Sequence, residues 1–206
     1  SRVKYSKAID IILQDLQQNY ESLTNVNAPV IESKVFAEKW CLFTGSSYKF
    51  KLSLRIFKLE KVKLFSQVQG NLRLATENDK QLLKYWYDAF NLEALGSIES
   101  DSESWVERVL QKGTAYLWQD KIPVSIACST RSTRNGIGIN MVYTPPEYRK
   151  QGYASACVAA LSQKLLDKGY KFCFLFTDLS NPTSNKIYQK IGYQPVADWN
   201  NYSFSD

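Results

Sequence analysis

The sequence predicts a mixed α/β fold, and two strand-to-helix stretches carry that expectation. In the first, Ile137 to Thr144 is apolar, β-branched and aromatic, so it reads as a buried strand. Pro145 and Pro146 stop it, since neither donates to a ladder. Arg149-Lys150-Gln151-Gly152-Tyr153-Ala154 then opens a long helix. That helix carries Ala154, Val158, Leu161 and Leu165 on one face, with Ser155, Ser162, Lys164 and Lys168 mostly away from it. Gly169 is its C-terminal stop. In the second stretch, a strand at Phe172 to Thr177 leads into a short helix through Tyr188. Gly192 ends that helix, and the chain returns as a strand from Tyr193 to Val196.

The preceding elements follow from periodicity and punctuation. Ser6 to Tyr20 places Ile9, Ile12, Leu13 and Leu16 at helical spacing. Thr24 to Pro29 reads as a loop. Glu32 to Thr44 reads as a second helix that ends near Gly45. Tyr48 to Phe65 alternates, with Tyr48, Phe50, Leu52, Leu54 and Ile56 opposite Lys49, Lys51, Ser53 and Arg55. The phase changes at Phe57 and Leu59. Its lysines read as the solvated face of a half-buried strand rather than a nucleic-acid surface.

The polar break Ser66 to Asn71 sets a boundary. Residues 1–69 form an N-terminal α/β lobe, a cap or a degenerate half-domain, and residues 70–206 form the main domain. Leu72 to Ala75 is a short strand. Thr76 caps a helix from Glu77 to about Leu95, with Asp79 in its first turn. A helix at Ser102 to Lys112 stops at Gly113. Strands follow at Ala115 to Gln119 and Ile122 to Ser129, then a turn at Thr130 to Gly136.

Composition narrows the chemistry. The 206 residues include no histidine, which removes Ser-His and Cys-His nucleophiles and the usual mixed zinc sites. Proton transfer must come from Tyr, Asp, Glu, Lys, Cys or water. Cys41, Cys128, Cys157 and Cys173 show no C-x-x-C pairing and read as reduced thiols of a cytoplasmic protein. No apolar run approaches the ~20 residues of a membrane span, and no signal peptide is visible. The net charge of +6 suits a polyanionic ligand.

A strand, a glycine-containing turn and a helix N-terminus together make a phosphate site. The first turn of a helix has N–H groups without intrahelical partners, and the helix dipole adds positive charge there. Gln151 to Ala154 are read as donors to a pyrophosphate, with Arg149 and Lys150 adding full charges. Asn181 or Thr183 can cap the later helix, and Pro182 suits its first position. From the residues alone, Tyr188 is either a packing tyrosine or an acid.

Arg149, Gly152 and Ala154 fit the R-x-x-G-x-A pattern of the GNAT acyltransferases. Asn181, Ser184, Ile187, Tyr188, Lys190, Gly192 and Tyr193 are similar to the second signature of that family, N-x-x-A-x-x-L-Y-x-K-x-G-F. Ser184 stands where Ala is usual and Tyr193 where Phe is usual. The resemblance covers about Gly70 to Phe204. It implies a GNAT fold, a mixed and mostly antiparallel central sheet flanked by helices, with the N-terminal residues as an α/β extension.

The resemblance also implies transfer of acetyl from acetyl-CoA to a primary amine by direct attack. The cofactor-binding set is then Val142, Tyr143, Thr144, Arg149, Lys150, Gln151, Gly152, Tyr153, Ala154, Asn181 and Ser184. Val142 to Thr144 would run beside the pantetheine arm, and an amide near Met141 to Val142 would polarise the thioester. Tyr188 would be the general acid. No metal, nucleic acid or membrane partner is implied. The acceptor and the base are not readable: Asn140, Glu99, Glu147 and Asp178 carry no deciding spacing. A non-catalytic acyl-CoA-binding or interaction module on the same fold is the alternative.

Overall fold

The computed structural model describes residues 2–63, 68–96 and 101–205. Glu99 and part of the expected boundary at Ser66 to Asn71 lie outside the described residues. The elements run α1 (Arg2–Asn19), β1 (Asn25–Pro29), α2 (Val30–Thr44), β2 (Ser47–Leu59), β3 (Asn71–Leu74), α3 (Lys80–Leu95) and α4 (Ser102–Gln111). Then come β4 (Ala115–Asp120), β5 (Ile122–Thr130), β6 (Gly136–Tyr143), α5 (Tyr153–Asp167), β7 (Phe172–Asp178), α6 (Pro182–Ile191) and β8 (Gln194–Ser205). The eight strands hydrogen-bond in the order β1-β8-β2-β7-β6-β5-β4-β3. The sheet is mostly antiparallel and flanked by helices, as the sequence resemblance implies. The pairing of β6 with β7 is parallel.

Packing divides the chain into two compact units. One holds residues 1–57, 176–185 and 195–206; the other holds residues 58–175 and 186–194. This grouping by packing is a different cut from the sequence boundary at 69/70.

In the first unit α1 and α2 bury Ile9, Leu13, Phe36 and Trp40, with Phe204 of β8 against them. α2 stops where Gly45 takes φ +76 and donates its N–H to the Cys41 carbonyl. Residues 25–29, expected as a loop, are a strand. Asn25 pairs with Ser203 and Pro29 with Trp199, antiparallel. The segment is too polar to announce itself, and the edge of β8 supplies its partners. β8 is also longer than the expected strand. β2 ends at Leu59 instead of Phe65. Its burial confirms the phase change: Phe57 and Leu59 are buried, whereas Phe50 on the earlier phase is 54% exposed.

In the second unit, α3 and α4 cover one face of β4, β5 and β6. Leu83, Trp86, Trp105, Val106, Leu117, Ile126 and Met141 meet in that core. The helix expected from Glu77 begins instead with a 3-10 turn, and its cap is ionic. Asp79 accepts from the Thr76 N–H at 2.8 Å and from both Arg73 terminal nitrogens at 2.7 Å. The guanidinium of Arg73 holds the Asp79 carboxyl below its ordinary range. Ser162 is a second correction. It was expected away from the core, but it is fully buried: its hydroxyl donates to the Val158 carbonyl and lies 2.8 Å from the Tyr193 hydroxyl.

Asp79 yields a pH prediction. Its depressed folded-state value contributes stability above the unfolded carboxyl value of about 3.9. That contribution is lost as pH falls through the lowered folded value. Asp79→Asn should cost about 1–3 kcal/mol at neutral pH. Thermal unfolding of both proteins across pH should show the Tm gap closing in acid; a constant gap would remove the ion pair from the account.

Candidate functional site

The site starts from where two strands part. β6 and β7 pair as Gly136↔Phe172, Ile137↔Cys173 and Gly138↔Phe174, and the ladder then stops. The glycines permit that contact: a Cβ on Gly136 would lie 2.2 Å from the Phe172 ring, and one on Gly138 3.3 Å from the Phe174 ring. β6 continues through Tyr143 without a further β7 partner in register.

On its other edge β6 bulges. Ile126 of β5 faces Tyr143 and Cys128 faces Asn140, so three steps of β6 oppose two of β5. Met141 absorbs the extra residue at φ +49, a left-handed conformation costing a non-glycine residue on the order of 1 kcal/mol. The amide at Met141–Val142 is thereby turned out of regular register. This is the position singled out in the sequence for polarising a carbonyl.

The loop after β6 is pinned by side chains. Pro146–Tyr148 forms a single 3-10 turn. Lys150 has φ +62 and Gly152 φ +88, and α5 begins at Tyr153. The helix thus opens later than expected, and residues 149–152 are its approach. The first-turn N–H groups of Tyr153 and Ala154 lie where a helix offers donors to an anion.

Arg149 is not aimed at that anion position. Its Nε donates to the Thr144 carbonyl at 2.8 Å, and one terminal nitrogen donates to both Glu93 carboxylate oxygens at 2.8 and 2.7 Å. Its guanidinium also lies 5.7 Å from the centre of the Tyr143 ring. The Tyr153 hydroxyl donates to Asp120 at 2.8 Å, and that bond raises its pKa. Lys150 and Gln151 are exposed, and Gln151 Nε2 donates to the Glu147 carbonyl. Behind the strand, the buried Ser125 hydroxyl donates to the Tyr143 carbonyl at 3.1 Å and meets the Thr144 hydroxyl at 2.9 Å. With the Tyr143 and Thr144 carbonyls so engaged, the half-buried Val142 is the least committed of the three strand residues.

Tyr188 is buried, 8% exposed, on α6. Its ring meets Tyr193 edge-on at 5.9 Å. Tyr193 in turn reaches Ser162, so α5 provides both the loop's helix start and the support behind Tyr188. Burial pushes the Tyr188 phenol up to about 12, so it stays protonated at neutral pH. Asn181 caps α6, its side-chain oxygen accepting from the Ser184 N–H at 3.0 Å. Asn181 and Ser184 therefore have a local structural role in the first unit.

Sequence reasoning missed Glu93, Asp120 and Ser125. Each acts through long-range contacts, and no local pattern marks it.

Comparison with known proteins bears on this arrangement. Residues 122–203 match the family model described as FR47-like protein. No curated protein matches the chain. A GCN5-related N-acetyltransferase from Sphaerobacter thermophilus is similar over 92% of this chain and 63% of its own, with TM-score 0.66 and 15% identity. A protein of the GNAT family from Novosphingobium aromaticivorans is similar over 76% of this chain and 66% of its own, with TM-score 0.57 and 18% identity.

The chain has the GNAT fold. The family model covers residues 122–203, under half of the chain, and the solved structures are similar to it in fold. The chain spans just under two thirds of the length of those two structures. AAC(6')-Iy, solved with the bisubstrate analog CoA-S-monomethyl-acetylneamine, is similar over 61% of this chain and 91% of its own, at TM-score 0.50 and 14% identity.

The Arg149 clamp can be tested by a double-mutant cycle on Glu93→Gln and Arg149→Gln. The pair is about half exposed, so a coupling near 1 kcal/mol in unfolding free energy is expected. Strictly additive losses would show that the two side chains do not hold the loop together.

Proposed function

We propose that this protein is an N-acyltransferase that moves an acetyl group from acetyl-CoA to a primary amine. One observation carries the reading. A strand edge left open beyond Gly138 leads through a bulge at Met141 into a loop with Gly152 at φ +88 and a helix N-terminus. In this reading residues 70–206 are the acyltransferase domain and residues 1–69 an accessory lobe.

The residues present fit acetyl-CoA. Backbone donors from Gln151 to Ala154 suit a pyrophosphate, and Lys150 adds charge. Arg149 contributes by fixing the loop, since its side chain is spent on Glu93 and Thr144. The open edge at Val142 suits an extended amide-bearing arm, which can hydrogen-bond as an added strand. Asn181 and Ser184 complete the proposed contacts.

Acetyl-CoA supplies a thioester that a neutral amine can attack directly: a carbon–nitrogen bond forms, the carbon–sulfur bond breaks, the nitrogen loses a proton and the sulfur gains one. The amide near Met141–Val142 would donate to the acyl oxygen as charge gathers on it. Tyr188 would donate a hydrogen bond to the departing sulfur. A phenol at about 12 is a weaker acid than a thiol near 8.5, so complete transfer from it runs uphill by about 5 kcal/mol. Its role is then to hold a proton toward the sulfur while water completes the exchange.

Two measurements test this reading. Calorimetric titration should show acetyl-CoA binding to the native protein and none to Gly152→Trp; equal binding would move the cofactor elsewhere. Tyr188→Phe should lower kcat about 100-fold with acetyl-CoA affinity little changed. An unaltered kcat would remove Tyr188 from the mechanism.

A further inference from the structure

A pocket of about 770 Å³ lies beside the bulge, wholly within the second unit. β6 contributes Asn140 and Met141 to its wall, and α3 and α4 contribute Tyr87 and Trp105. Tyr87 and Trp105 stack at 4.2 Å, which gives that wall a rigid aromatic surface.

The charge of the wall is one-sided. Arg108, Lys112, Arg131 and Lys168 line it, and among the described residues no Asp or Glu does. Neighbouring acids on α4 are engaged elsewhere. Glu103 pairs with Lys80 at 2.9 Å and Lys84 at 3.1 Å, and Glu107 pairs with Lys80 at 3.7 Å. Arg108 and Lys112, one helical turn apart, make no ion pair among the described residues. Lys168 makes none either.

We infer that this pocket receives the acceptor, and that the acceptor carries a carboxylate or phosphate group besides its amine. The inference rests on the acyltransferase reading for the identity of the reaction, but the anion site stands on its own geometry. Arg108, Lys112 and Lys168 on a concave surface attract an anion and repel a polyamine or a lysine-rich peptide. The same charges act on the amine itself. A positive environment disfavours its ammonium form and lowers its pKa. The neutral nucleophile can then form without a nearby carboxylate base. The absence of an acidic residue from the pocket wall among the described residues, which leaves a conventional base unassigned, thereby acquires a chemical use.

The test pairs kinetics with binding. Glutamate, O-phosphoethanolamine, ethanolamine and putrescine are offered with acetyl-CoA, and acetylated product is read by mass. The native protein is compared with Arg108→Glu/Lys112→Glu, whose substitutions are exposed and whose fold is checked by circular dichroism. A kcat/KM at least 10-fold higher for the anionic amines, and lost or reversed in the variant, is the expected result. Faster ethanolamine or putrescine, or an order unchanged in the variant, overturns it.

In parallel, binding of glutamate and O-phosphoethanolamine is followed by tryptophan fluorescence with free CoA saturating. Binding by the native protein but not the variant, without turnover of any amine, keeps the anion site and sinks the acyltransferase reading. Turnover of neutral amines without anion binding sinks the anion site and keeps acyl transfer. Failure of both binding and turnover overturns the inference.

Discussion

β6 and β7 pair over three residues of β6, and two of the three are glycines. Gly136 and Gly138 let the rings of Phe172 and Phe174 lie across the strand, and the parallel ladder closes there for three pairs. Beyond that point β6 carries Met141, Val142 and Tyr143, and no further partner follows in register. The bulge, the loop and α5 all take their positions from that strand's end.

The loop is held by its side chains so that its backbone can be used. Arg149 is tied to Glu93 and Thr144, and Tyr153 to Asp120. None of these contacts supplies a donor to a ligand. They fix the conformation in which Lys150 and Gly152 take positive φ and the helix begins. The anion proposed to bind there would meet groups already in place, so less of its binding free energy would be spent on ordering them. The pair of basic residues in Arg149-Lys150 thus divides into a structural arginine and an exposed lysine.

What the sequence made legible was local. Strand, proline stop, glycine and amphipathic helix follow one another within residues 137–168, so that segment could be read from periodicity and punctuation. The cap at Asn181 and the stop at Gly192 could be read the same way. What stayed hidden depends on distant partners. Glu93 lies 56 residues from Arg149, and a basic residue beside a phosphate loop reads locally as a phosphate ligand. Ser162 looked like a surface serine because nothing nearby announces the Tyr193 hydroxyl that satisfies it. The strand at residues 25–29 has no apolar alternation and exists because β8 offers an edge.

That last pairing has a consequence for the order in which the chain takes shape during synthesis. α1, β1 and α2 emerge from the ribosome before β8, yet β1 pairs with residues 199–203, and Phe204 completes the core around Trp40. At translation rates of roughly 5–20 residues per second, α1 and α2 wait on the order of 10–30 seconds for the strand that covers them. The amphipathic faces of α1 and α2 stand without β8 through that interval, and the core around Trp40 closes only once β8 has been made.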